Sequence, residues 1–208
     1  MQIILSFLIG YISGSIPTAY LLVKRKHALD ITSEGSGNVG ALNSYEVSKS
    51  KITGISVLLI DFLKGLAAVY ISGLILGNDF IIQGVTLIAA VLAHCYSPWI
   101  NFKGGRGLAT AAGGMFLLSI PILVTWFVIW IIAYAFRKNI HFGNFAATIL
   151  TAFLSFSSAK VLMKYTSLSP ETEMQFGFII SLIMFIILLK HIKPIKEYFK
   201  TQNKKVRV

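Results

Sequence analysis

Long apolar stretches separated by short polar loops set the pattern of this chain. An α-helix rises about 1.5 Å per residue, so a hydrocarbon core of roughly 30 Å takes about 20 mostly apolar residues to cross. Five stretches meet or approach that length: Ile3 to Val23, Ile52 to Leu76, Phe80 to Ile100, Phe145 to Leu162 and Phe176 to Leu189. The first has no basic leader, is too long for the core of a signal peptide and precedes no small-residue cleavage site, so it reads as a retained anchor. A further block, Leu108 to Phe136, is longer than one crossing and shorter than two. Two readings of it are open: a hairpin hinged near Ser119, Ile120 and Pro121, where proline breaks the backbone ladder, or one tilted helix.

Charge separates the two. Lys24, Arg25, Lys26, Lys49 and Lys51 lie in the first loop, Lys103 and Arg106 in the third, and Arg137 and Lys138 just after the long block. Lys190, Lys193, Lys196, Lys200, Lys204, Lys205 and Arg207 crowd the tail. Lys and Arg accumulate on the cytoplasmic side of membrane proteins, and only the hairpin puts all four groups there. The segments near Asn78 and Asp79 and from Ser167 to Glu173 carry no Lys or Arg and read as external. The expectation is an all-α integral membrane protein of seven membrane helices including a short hairpin pair, with the N-terminus outside and the C-terminus cytoplasmic. Residues 1–190 form the membrane domain, and residues 191–208 a basic tail that frays from an interfacial helix.

Composition agrees. Apolar residues make up 55% and charged residues 13% of the 208, against roughly 45–50% and about 25% in soluble domains. The net charge of +11 would suggest nucleic acid in a soluble chain, but here the bilayer accounts for it and no nucleic-acid partner is expected. The single cysteine, Cys95, excludes an intrachain disulfide.

Two loops on the basic side are rich in glycine. The first runs from Asp30 to Asn43 through Gly35-Ser36-Gly37-Asn38-Val39-Gly40. Glycine tolerates positive φ, so successive N–H groups can converge on an anion, and Ser and Asn add neutral donors. The second, Asn101-Phe102-Lys103-Gly104-Gly105-Arg106-Gly107-Leu108-Ala109-Thr110, leads into a helix, whose first N–H groups favour anions. Each is also a plausible tight turn; together, on one face of one small bundle, they point to a phosphorylated ligand. Neither fits a nucleotide-binding pattern.

Asp61 and Lys64 stand three apart on one face of the second apolar segment. They read either as an ion pair pinning that helix or as part of the site, because isolated charges in a bilayer cost about 2.5–3.5 kcal/mol. His94 reads as a packed, hydrogen-bonded histidine, and His191 as a solvated or phosphate-contacting one at the membrane surface. No spacing of the four histidines and Cys95 suggests a metal site, and no cofactor is expected.

Five ordered landmarks resemble the acyl-phosphate-dependent glycerol-3-phosphate acyltransferases of bacteria, the PlsY family. They are Gly14-Ser15-Ile16-Pro17, the run from Gly35 to Asn43, Asp61-x-x-Lys64-Gly65, the run from Phe102 to Thr110, and His191. The resemblance extends over essentially the whole chain. It implies a seven-helix enzyme of the bacterial plasma membrane, active at its cytoplasmic face. Such an enzyme moves a fatty acyl group from acyl-phosphate to the 1-hydroxyl of glycerol-3-phosphate in phospholipid biosynthesis, giving lysophosphatidic acid and phosphate. A monomer among membrane lipids is expected.

The resemblance carries the site with it. Ser36, Asn38 and Asn43 would be polar contacts, and Gly35, Gly37 and Gly40 backbone donors. Gly104, Gly105, Gly107 and Thr110 would bind substrate, with Asp61 and Lys64 beneath, and Lys103, Arg106, Ser36 and His191 would be the catalytic group. An acyl-phosphate is already activated, so no covalent nucleophile is needed. The histidine–aspartate pair of the other major acyltransferase class, four residues between them, does not occur. This chain departs from the family at Glu46, where an arginine is usual, at Leu42 for threonine, at Arg106 for lysine and at Pro194 for asparagine, and a later Gly-x-Glu is missing. Those departures leave open a paralogue that binds acyl-phosphate or phospholipid precursors without turnover, or with a changed acceptor. A small transporter is less favoured, because apart from Asp61 and Lys64 the spans carry few ionisable groups.

Overall fold

A computed structural model describes the backbone of residues 1–206 and the side chains through residue 202; the ends of the basic tail, with Lys204, Lys205 and Arg207, fall outside the described side chains. Among the described residues ten α-helices follow one another: α1 (Gln2–Ser15), α2 (Thr18–His27), α3 (Ala41–Ser48), α4 (Lys51–Leu76), α5 (Phe80–Cys95), α6 (Leu108–Leu118), α7 (Ile120–Arg137), α8 (Ile140–Ser157), α9 (Ala159–Leu162) and α10 (Glu173–Val206). Among the described residues six helical segments are long and apolar enough to cross a membrane, α1 and α2 counting as one, and α6 is a shorter apolar helix.

Local chemistry explains where the helices differ from the sequence expectation. The first segment is broken at Ile16-Pro17, because proline has no N–H to continue the ladder. The long block does hinge at Ser119, which ends α6 and opens α7 in an extended conformation, φ −158° and ψ 91°. Its arms are unequal: α6 has 11 residues and α7 has 18, so α7 is long enough to cross alone and is not a short helix. The segment expected at Phe145 to Leu162 starts earlier than the apolar run, because Asn139 caps α8 by accepting the Phe142 N–H at 3.0 Å. The last helix does not stop near Leu189 either. α10 continues through Pro194 into the basic tail, so the helix crosses the boundary placed at residue 190.

α5 is the central post. Most of its residues are buried, and Leu87 and Val91 meet Met115 and Leu118 of α6 and Ile183 and Ile187 of α10 in the main core. Lipid tails are as apolar as leucine, so helices in a bilayer associate through close packing of small residues. α1 lies on α5 with Gly10 and Gly14 against the Thr86 and Ala90 carbonyls, and α6 lies on α4 with Gly113 and Gly65 against the Phe62 and Thr110 backbone. A Cβ at any of the four would overlap a carbonyl oxygen. Outward side chains such as Val124, Phe127 and Ile131 of α7 are exposed and face the surroundings of the bundle.

Gly113→Val will force α6 away from α4, an overpacking cost of about 1–3 kcal/mol. The measurement is the thermal midpoint of the detergent-solubilised protein, which falls for this variant and is nearly unchanged for Ile131→Ala.

Candidate functional site at the glycine loops

The two glycine loops meet. Val39 N–H donates to the Gly104 carbonyl at 3.3 Å, joining the first loop to the second through the backbone. Asn43 organises the first loop: it is 1% exposed. Its Oδ1 accepts the Ser36 N–H at 3.0 Å and its Nδ2 donates to the carbonyls of Asn38 at 3.0 Å and Glu34 at 3.1 Å. Its amide is thus committed to the loop backbone. Gly35 and Gly37 take positive φ, 58° and 68°, as a converging turn requires. Gly40 does not: at φ −153° it is extended and opens α3. Ser36 is exposed at the turn's tip, and Asn38 is half-buried beside it.

A second set of bonds folds the other loop. Ser97 N–H donates to the Lys103 carbonyl at 3.1 Å while the Phe102 N–H donates to the Ser97 carbonyl at 2.9 Å. The same residues fasten it to the break between α1 and α2. Ser97 Oγ donates to the Ser15 carbonyl at 2.6 Å, and Trp99 Nε1 to Ser15 Oγ at 3.0 Å. Gly105 lies on His94, its N–H donating to the His94 carbonyl at 3.1 Å. A Cβ there would strike the imidazole, and one on Gly104 would strike the carbonyls of His94 and Cys95. Gly107, at φ 83°, precedes α6. The first bond of that helix runs from Ala111 N–H to the Gly107 carbonyl, so the N–H groups of residues 108–110 have no acceptor within it. Thr110 itself is fully buried, between α6 and α4.

Beneath the second loop sits the acid–base pair. Asp61 Oδ1 is 2.9 Å from Lys64 Nζ, which also donates to the Ile16 carbonyl at 3.0 Å. His94 Nδ1 is 3.7 Å from the same carboxylate oxygen. Asp61 and Lys64 are 3% and 8% exposed. These contacts join the α1–α2 break to α4 under His94.

Lys103 is exposed. Arg106 is half-buried, and its Nη1 lies 3.3 Å from His141 Nδ1. Burial lowers the Arg106 pKa from its ordinary value, opposed by the carboxylates of Glu197 and Glu46. Asp30, at the start of the first loop, is held below the usual carboxylate range by hydrogen bonds from the Thr32 hydroxyl and N–H, with Lys103 across the gap adding a smaller pull. His191 is 0% exposed, which corrects the solvated reading of it. Because α10 continues past it, the imidazole is held inside the bundle: Nδ1 lies 2.8 Å from the Ile187 carbonyl and Nε2 3.4 Å from Asn144 Nδ2. Sequence reasoning missed His141, Asn144 and Glu197. The Asn139 cap just before His141 was the one available signal, and it marks only where a helix begins.

An apolar cavity of about 500 Å³ starts at Leu108 and Ala109, the first residues after the second loop, and runs between α4, α6 and α7 past Phe62, Met115 and Trp126. On one side it opens between Leu59 and Phe127, both exposed. Asn144 at its wall accepts a 2.7 Å hydrogen bond from Trp130 Nε1, which links the cavity to His191.

A pair of joined glycine loops, the second bearing cations, set against an apolar channel in a helical membrane bundle, suits an enzyme that handles a phosphate and a lipid chain together. Residues 4–201 match the family model of glycerol-3-phosphate acyltransferase, and the chain belongs to that family. The glycerol-3-phosphate acyltransferase of Helicobacter acinonychis (strain Sheeba) is 35% identical over 214 residues, covering 96% of this chain and 92% of the relative. That of Thermotoga petrophila is 30% identical, over 97% and 95% of the two chains. The crystal structure of PlsY (YgiH), an integral membrane glycerol 3-phosphate acyltransferase, in its glycerol 3-phosphate form superposes with a TM-score of 0.79 at 27% identity, covering 97% of this chain and 94% of that one. Its lysophosphatidic acid form gives 0.77 at 26%. The chain is a multi-pass membrane acyltransferase, and the non-catalytic binder is not favoured.

Removing one partner of the Asp61–Lys64 pair leaves an uncompensated buried charge, a loss of about 3–5 kcal/mol. Asp61→Asn and Lys64→Met will each lower the thermal midpoint steeply, and the double variant by less than the sum. Additive losses would mean that the two groups act separately.

Proposed function

We propose that this acyltransferase takes its acyl group from acyl-phosphate and gives it to the 1-hydroxyl of glycerol-3-phosphate at the joined glycine loops. The observation that carries the reading is the Val39–Gly104 hydrogen bond, 3.3 Å long, which brings the two candidate phosphate cradles together just before Leu108 and Ala109, where the lining of the apolar cavity starts. The acyl chain occupies the cavity, and its activated carbonyl lies at the start of α6. The backbone donors of the first loop with Ser36 and Asn38, and the second loop with Lys103 and Arg106, hold the two phosphates.

Transfer is direct. The substrate hydroxyl oxygen forms a bond to the acyl carbon, the bond from that carbon to the phosphate oxygen breaks, and phosphate leaves with the electron pair. The hydroxyl proton passes to phosphate, directly or through water. Orienting two bound reactants supplies much of the acceleration, and the free N–H groups at the start of α6 with the cations beside them stabilise the developing oxyanion. The product is lysophosphatidic acid. His191, enclosed between α8 and α10, acts through Asn144 on the cavity wall.

The basic loops support a site on the cytoplasmic face of the bacterial plasma membrane, a seventh membrane segment made by α6 and an outside N-terminus; the enzyme is read as a monomer.

Purified protein given palmitoyl-phosphate and glycerol-3-phosphate will form lysophosphatidic acid. No product above background would defeat the reading. Ser36→Ala and Lys103→Ala will each reduce kcat/KM by about a hundredfold or more with unchanged folded yield; full activity in both would defeat the site assignment.

Orientation has its own test. In a Cys95→Ala background, Asn78→Cys will react with an impermeant thiol reagent on intact spheroplasts, and Lys138→Cys only after lysis. The reverse pattern would overturn the topology.

A further inference from the structure

Arg106 stands where the family resemblance leads one to expect lysine, and the difference matters to how the charge is held. Its guanidinium reaches His141, the second residue of α8, with Nη1 3.3 Å from Nδ1. A guanidinium has only donors, so this contact makes Nδ1 the acceptor and leaves the imidazole hydrogen on Nε2. His141 is itself placed by the start of α8, which the Asn139 cap fixes at the Phe142 N–H. Two carboxylates, Glu46 from α3 and Glu197 from α10, act on both Arg106 and His141.

That surrounding poses a problem for a phosphate site. A guanidinium pairs bidentately with carboxylates as readily as with phosphate, so Glu46 and Glu197 compete for it. An arginine side chain also has about 2 kcal/mol of rotamer entropy to lose when it is ordered. A neutral acceptor solves both difficulties, because it fixes the fork without cancelling its charge. A lysine ammonium is a compact point charge with rotatable donors and has no plane to orient.

We propose that His141 is a positioning residue for the acyl-transfer reaction: its Nδ1 holds the Arg106 guanidinium beside the second glycine loop, away from Glu46 and Glu197, with the remaining N–H donors turned to the substrate phosphate. The proposal rests on the reading of the site given above. It also explains how one position accommodates an arginine with a glutamate, Glu46, close by.

The test uses the full chain in lipid nanodiscs. With palmitoyl-phosphate saturating, His141→Leu will raise KM for glycerol-3-phosphate about tenfold or more, the loss expected for one hydrogen bond to a charged group. His141→Asn, whose Oδ1 occupies the place of Nδ1, will restore KM to within about threefold. In an Arg106→Lys background the effect of His141→Leu will fall below about twofold, because the ammonium needs no such partner. Equal losses in the Leu and Asn variants, or an effect of His141→Leu undiminished beside Arg106→Lys, would overturn the proposal. His141→Ala serves if the Leu variant does not fold.

A second measurement is independent of turnover. Phenylglyoxal labelling of Arg106, followed by peptide mass spectrometry, will be several-fold faster in His141→Leu than in the unmodified chain or in His141→Asn. Equal rates in all three would overturn the proposal even for an inactive protein. The expected labelling pattern without any lysophosphatidic acid from the unmodified chain would instead fault the functional reading.

Discussion

The Lys64 ammonium on the Ile16 carbonyl is the contact from which the loop geometry follows. A bilayer offers no water to a broken helix, so the gap between α1 and α2 at Pro17 has to be satisfied from within the protein. Lys64 supplies the donor, Asp61 balances its charge, and His94 lies over the pair at 3.7 Å from the carboxylate. His94 then carries Gly105, and Ser15 carries Ser97 and Trp99. One buried cation therefore connects the first helix break to the loop that precedes α6. Glycines along α1 and α6 let the backbones come close together around these contacts.

The site is assembled mostly from neutral groups. Backbone N–H donors and Asn43 shape the first loop, and the cations that approach it, Lys103 and Arg106, come from the second. Of the acidic side chains near the first loop, Asp30 is tied to Thr32 and Glu46 is exposed on α3. An anion held this way is bound by direction as much as by charge. Loop backbone fixed by buried amides stays oriented when the ligand leaves, which is the preorganisation that transition-state stabilisation needs.

Much of this was legible in the sequence. The apolar runs located the spans, the glycines and cations located both loops, the spacing of Asp61 and Lys64 gave their pairing, and Ser119 to Pro121 located the hinge. The rest depends on contacts between distant segments, which periodicity does not record. Pro17 breaks a helix, yet Pro194 is absorbed within α10, and nothing local distinguishes them. His141 entered the site because α8 happens to begin beside Arg106, 35 residues away in the chain. The family resemblance makes Asn43 a polar contact; that its amide also holds the loop backbone is visible only in the folded loop.

The cavity beside α6 opens sideways between Leu59 and Phe127 rather than only toward the loops. On the reading proposed above, a donor with a long hydrocarbon tail would reach such an opening by sliding within the leaflet, while its small polar co-substrate would arrive from the aqueous phase. The encounter with the first is two-dimensional and with the second three-dimensional. Saturation by the tailed substrate is then set by its mole fraction among neighbouring lipids, so the state of the surrounding bilayer becomes a variable of the kinetics.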